Sequence, residues 1–158
     1  MIDYKQSDVW IASRQLANSI HTISKNVPKD EIFGLTQQIR KSATSIPSNI
    51  AEGIGRNHLK GTTQFLYIAR GSLFELEIQI YIAFKQGYIN ATALEQITYD
   101  NEKCKKLRNG FINYYLKKKH EDHTNTKHQT LKTKHQALNT INQIIRHDKQ
   151  TIANRTLY

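Results

Sequence analysis

Phe65, Ala69, Leu73, Leu76, Ile80 and Ala83 recur at steps of four, four, three, four and three residues, and this spacing constrains the chain more than any other feature. An α-helix turns once every 3.6 residues, so residues spaced this way share one face, whereas a strand would scatter them over both sides. Leu66, Ile68 and Ile82 widen the stripe, which predicts burial against more than one neighbour. Gly87 is placed to end the helix, with Tyr88 and Ile89 packing in the turn.

Three further runs obey the same period. Val9, Ala12, Leu16, Ile20, Ile23 and Val27 predict a first helix, opened by Ser7 or Asp8 and closed by Pro28, which disfavours a helical Val27. A second helix is expected from Lys29 to Glu31 onward, with Asp30 and Glu31 at the positive end of its dipole and a stripe of Ile32, Leu35, Ile39, Ala43, Ile46 and Ile50. Pro47 falls inside it, yet the period continues to Ile50 and Ala51. One kinked helix is therefore predicted, ending at Gly53 or Gly55 in a left-handed cap. Asn90 caps a fourth helix along Leu94, Ile97, Cys104, Leu107, Phe111 and Tyr114. With only 7 Gly and 2 Pro in 158 residues there are too few turn residues for a β-sandwich. The default architecture is an all-α, up-down-up-down four-helix bundle.

Charge divides the chain near Leu116. Residues 1–116 hold 14 Lys+Arg and 10 Asp+Glu, a net +4; residues 117–158 hold 9 and 3, a net +6. The second segment opens on Lys117, Lys118 and Lys119 and carries five of the seven histidines, so 1–116 reads as a bundle domain and 117–158 as a basic extension. Such a segment is expected to be partly disordered or to serve as a nucleic-acid arm. Leu131, Leu138, Ile141, Ile145 and Ile152 follow coiled-coil steps, but Lys134 and Asp148 break the seam, which predicts a helix conditional on a partner. Neither a secretory signal nor an 18-residue apolar run is visible, so the chain reads as soluble and cytoplasmic, with no membrane partner.

No catalytic apparatus is visible. No glutamate stands three residues before a histidine, which argues against a di-metal bundle site. His120 and His123 could share a stray metal ion at i, i+3, but lack the four fixed ligands of a structural site. Cys104 lies on an apolar stripe, as a small core residue does. Gly53-Ile54-Gly55 follows a helix and not a strand, so it fails as a dinucleotide loop. The expectation is a non-enzyme with no metal and no cofactor. The polar cluster from Ser45 to Arg56 reads as structural: Ser and Asn side chains satisfying carbonyls freed by Pro47, and Glu52 pairing with Arg56. Glu75 and Glu77 could offer carboxylates to Arg40, Arg56 or Arg70, and Gly71 with Ser72 would allow close helix approach.

Asp8-Val9-Trp10, Glu31-x-Phe33-Gly34-Leu35-x-x-Gln38-x-Arg40, Ser45-Ile46-Pro47-Ser48-Asn49-Ile50-Ala51-Glu52-Gly53-x-Gly55-Arg56 and Phe65-Leu66-x-Ile68-Ala69-Arg70-Gly71-Ser72-Leu73-x-Glu75-Leu76-Glu77 carry a resemblance. The chain resembles, from about Asp8 to Tyr115, the bacterial four-helix bundle proteins encoded in intervening sequences of 23S ribosomal RNA genes. The resemblance implies a left-handed bundle, frequently a ring of five, and kinship with the pentameric accessory protein of diversity-generating retroelements. It marks Ser45, Pro47, Ser48, Asn49, Glu52, Gly53, Gly55, Gly71, Ser72 and Glu75 as motif positions. Where the family caps its third helix with a Ser and an acidic residue, this chain reads His58-Leu59-Lys60-Gly61, so the cap is expected at Asn57, Thr62 or Thr63. The family's pattern says nothing of residues 117–158.

Two functions follow. The leading one is a homo-oligomer, pentameric by resemblance, that holds structured RNA through phosphates. Its candidate contacts are Arg40, Lys41, Arg56 and Lys60, taken to lie near one end of the bundle, with Arg70, Lys117, Lys118 and Lys119. The alternative is a scaffold for a protein partner, docked through the extension's broken heptad and through exterior apolar residues such as Trp10, Phe33 and Tyr81.

Overall fold

The computed structural model describes residues 3–56 and 58–155, and within 118–125, 141–142 and 144–155 it describes the backbone alone. Among the described residues every regular element is helical: α1 (Asp8–Ile23), α2 (Leu35–Gly55), α3 (Leu59–Lys85) and α4 (Ala91–Arg155), with 3₁₀ turns at Tyr4–Gln6, Ser24–Asn26 and Lys29–Phe33. The backbone divides into two units, Met1–Leu116 and Lys117–Tyr158.

In the first unit the stripes close on one core. Leu16 and Ile20 of α1, Ile39, Ile46 and Ile50 of α2, Leu66, Leu73 and Leu76 of α3, and Ile97 and Cys104 of α4 are all fully buried. The central stripe of each helix is covered by its neighbours, which is what makes helices of this length stable in water. Ile68 and Ile82, expected to widen the buried stripe of α3, are instead 45% exposed each, because only the Leu66, Ala69, Leu73, Leu76, Ile80 and Ala83 side of the helix meets the core.

The second helix starts later than its periodicity predicts. Lys29–Phe33 forms a 3₁₀ turn, and Gly34 (φ −102°, ψ −117°) breaks the backbone before α2 begins at Leu35. Glu31 acts from outside, its carboxylate accepting a hydrogen bond from the Leu35 amide at 3.1 Å. Ile32 and Phe33 are consequently exposed, Phe33 to 86%. α2 then runs unbroken through Pro47. Asn49 Nδ2 and Ser48 Oγ donate to the carbonyls of Ser45 and Thr44, not to that of Ala43, the carbonyl an amide at position 47 would have served. Neither Gly53 nor Gly55 takes the left-handed cap expected of it, because both are helical and Arg56 closes α2 in the right-handed region.

α3 draws its cap from an unexpected residue. His58 Nδ1 accepts the Gly61 amide at 3.1 Å, filling the role expected of Thr62 or Thr63; Asn57 lies outside the described residues. The far end behaves as read. Gly87 takes φ +74°, and its amide and that of Tyr88 donate to the carbonyls of Phe84 and Ala83, the two bonds of a Schellman motif. In α4 Asn90 Oδ1 caps the Ala93 amide at 2.8 Å. The buried face, however, is Ile97, Asn101, Cys104, Arg108, Ile112 and Tyr115, leaving Tyr114 exposed and Leu107 and Phe111 half-buried. Trp10 is half-buried against the core and meets Tyr4 edge-on at 5.2 Å.

The second unit is helical as far as Arg155. All side chains from 126 to 140 are exposed, including Leu131 and Leu138 of the expected seam. Ile141, Ile145 and Ile152, like His120 and His123, lie outside the described side chains.

Candidate nucleic-acid interface

The eight cations singled out from sequence fall in several places. Arg40 stands near the start of α2, its Nε donating to Ser24 Oγ at 2.8 Å, and Lys41 beside it is exposed. Arg56 follows the last turn of the same helix, and sixteen residues of α-helix separate it from Arg40 by about 24 Å. Arg40 and Lys41 therefore do not share one end of the bundle with Arg56 and Lys60; α2 holds the two pairs apart. Arg56 is also occupied, ion-paired to Glu52 at 2.6 Å and lying over the Phe65 ring. Lys60 and Lys117 are exposed, while the side chains of Lys118 and Lys119 lie outside the described residues.

Of the motif residues, Ser45, Gly53, Ser72 and Glu75 join α2 to α3. Ser72 Oγ donates to Ser45 Oγ at 2.8 Å, and Asn49 Nδ2 donates to the same Ser45 oxygen at 2.9 Å. At Gly53 the two helices approach closely, since a Cβ there would stand 3.1 Å from the Thr62 carbonyl oxygen and 3.2 Å from Phe65 Cβ. Gly55 and Gly71 face open space, so Gly71 does not provide the close approach expected of it. Glu75 accepts from Ser42 Oγ at 3.4 Å, and Glu77 pairs with Lys105 at 2.9 Å; neither serves Arg40, Arg56 or Arg70.

Arg70 instead lies over Phe74 and lines a cleft between α3 and α4 together with Lys105 and Arg108. Sequence reasoning missed the last two, because in a helix of such periodicity an Arg on the core seam reads as a surface residue. The signal was present: Arg108 stands four residues after Cys104 and four before Ile112, both on the apolar face. Asn101 occupies the same seam and donates to the Leu73 carbonyl at 3.2 Å. Cys104 between them is inert, its thiol pushed up to about 12 chiefly by burial.

Comparison with known proteins adds the family. The model of the 23S rRNA-intervening sequence protein family matches residues 5–110. The chain belongs to that family. A solved relative, a protein of unknown function from the S23 ribosomal protein family of Bacteroides thetaiotaomicron VPI-5482, is similar at 28% identity and a TM-score of 0.61. The match covers 66% of this chain and 97% of that one. No curated protein matches. The family match thus contains the Ser45–Ser72 junction and the Arg70 cleft down to Asn109, and stops short of the exposed basic segment. No helix among the described residues is long and apolar enough to cross a membrane.

Proposed function

We propose that this protein is a non-enzymatic, cytoplasmic oligomer of left-handed, up-down-up-down four-helix bundles that holds structured RNA through its phosphates. The observation that carries the reading is the segment 126–140. It is helical, every side chain in it is exposed, and it presents Lys127, Lys132 and Lys134, with no carboxylate between Asp122 and Asp148. Ammonium groups without internal partners release counterions when they meet phosphates, which is the main source of sequence-independent affinity for nucleic acid. Oligomerisation is supported by the outward face of α3, where Phe74, Ile78, Tyr81 and Ile82 leave apolar surface exposed. A ring would also multiply the modest +4 of each bundle into a field that one copy lacks.

The test is anisotropy of a labelled RNA hairpin across a salt series, with particle mass from light scattering. Affinity should fall steeply with salt, and replacing Lys127, Lys132 and Lys134 together by Ala should reduce the log–log slope by about two to three. A flat salt dependence, or a slope the triple variant leaves unchanged, overturns the reading. A second reading, a protein-binding scaffold, is favoured by the exposure of Leu131 and Leu138 one heptad apart. It requires that Leu131→Asp with Leu138→Asp abolish partner capture while RNA binding survives.

A further inference from the structure

The cleft between α3 and α4 has a volume of ≈ 410 Å³, within the range of roughly 300–1,000 Å³ common to small-molecule sites. Arg108 lines it with only 4% of its surface exposed. Its Nη1 reaches the Leu66 carbonyl at a long 3.5 Å, Nη2 donates to Asn109 Oδ1, and Nε has no partner. Among the described residues the carboxylates in ion pairs are engaged elsewhere: Glu52 with Arg56, and Glu77 and Glu102 with Lys105. The charge that acts on it most has its own sign. Burial first, then the Arg70 guanidinium, pushes the Arg108 pKa down from its ordinary value. A buried guanidinium without a counter-charge is costly, and an anion in the cleft would offset it.

The neighbouring groups define which anion. Arg70 is a second guanidinium with no carboxylate partner among the described residues, whereas Lys105 is neutralised by its two glutamates. Two uncompensated guanidiniums match the double charge and several oxygens of a phosphate monoester better than the single charge of a carboxylate. The cleft is larger than a lone phosphate requires. The Phe74 ring already carries Arg70 and Lys105, at 5.5 and 4.6 Å, but the Tyr67 ring is exposed and lines the same space. Exposed aromatic rings beside cationic grooves are stacking platforms for bases.

We infer that the cleft binds a nucleotide, with its phosphate monoester against Arg108 and Arg70 and its base against Tyr67. Arg70 is also among the RNA contacts expected from sequence, yet the site rests on the unpaired Arg108 and not on the basic segment 126–140. The experiment is calorimetric titration of the full chain, at low salt, with adenosine 5′-monophosphate, inorganic phosphate and adenosine. The monophosphate should bind saturably and adenosine should not. Arg70→Gln should weaken the monophosphate and inorganic phosphate alike by about tenfold or more. Tyr67→Ala should weaken the monophosphate and leave inorganic phosphate unchanged.

Replacing Lys127, Lys132 and Lys134 by Ala should leave all of these unaltered, which separates this site from the RNA-binding segment. Competition by a 5′-phosphorylated RNA oligomer but not its 5′-hydroxyl twin would identify the ligand as a nucleic-acid end; competition by neither would identify it as a free nucleotide. Absence of saturable monophosphate binding, equal binding of adenosine, equal competition by acetate, or indifference to Arg70→Gln overturns the inference.

Discussion

Replacing Arg108 by Met should make the protein more stable while emptying the cleft of its anion. The side chain is buried, and methionine fills much of the same path along α4 without a charge. What the substitution removes is small: a 3.5 Å contact to the Leu66 carbonyl, longer than a good N–H···O bond, and a hydrogen bond to the side chain of Asn109. What it relieves is larger, a guanidinium with an unpartnered Nε and an adjacent like charge from Arg70. A buried unsatisfied polar group costs about 1–3 kcal/mol, and exchanging a buried ionic group for an apolar one is commonly stabilising, so a gain of about 1–3 kcal/mol is expected. Urea unfolding followed by far-ultraviolet circular dichroism, at one fixed protein concentration, measures it directly. The same experiment with adenosine 5′-monophosphate provides a second reading. At a hundred times its Kd a ligand adds about 2.7 kcal/mol to the stability of a protein that binds it, so the wild type should shift and Arg108→Met should not. A variant that loses more than about 1 kcal/mol relative to wild type would refute the reasoning, because the guanidinium's contacts would then outweigh its desolvation.

Three other outcomes follow from the packing. Leu73→Ala, at a fully buried position between the helices, should cost about 2–5 kcal/mol in the same urea assay. His58→Ala should cost about 1 kcal/mol by removing the Gly61 amide's acceptor, and His58→Ser should recover much of it. Cys104 holds its proton in the folded state to about pH 12, while the unfolded thiol ionises from about pH 9. Its contribution to stability is therefore complete below pH 9 and lost between 9 and 12. Across that window the wild type should lose up to about 1.4 kcal/mol per pH unit relative to Cys104→Val, and parallel pH profiles would contradict the burial.

The contrast between the two polar clusters shows what could be read from the residues alone. Ser45 and Asn49 were legible as structural polar groups because they stand beside a proline and bond within one turn of helix, whereas Ser72 was legible only as a small residue allowing close approach, not as a donor to Ser45. Glu31 was legible as an acidic residue near a helix start, but not as the group that caps Leu35 across Gly34, since the 3₁₀ turn that carries it there has no period of its own. His58 escaped for a similar reason: histidine is not among the usual capping residues, and its role depends on a ring nitrogen reaching the Gly61 amide.

The four helices, the boundary signals at Gly87 and Asn90, and the central stripes of the apolar faces they bury were determined by the sequence itself. Periodicity and end signals act within a few residues of where they are written. The tertiary structure alone decided which partners the polar residues of the core find. Asn101 finds its acceptor 28 residues away at Leu73, and Arg108 reaches 42 residues back to Leu66 with no carboxylate among the described residues paired to it. A polar side chain's standing depends on partners brought close only when separate helices pack, so no local pattern encodes the cleft that Arg70 and Arg108 share.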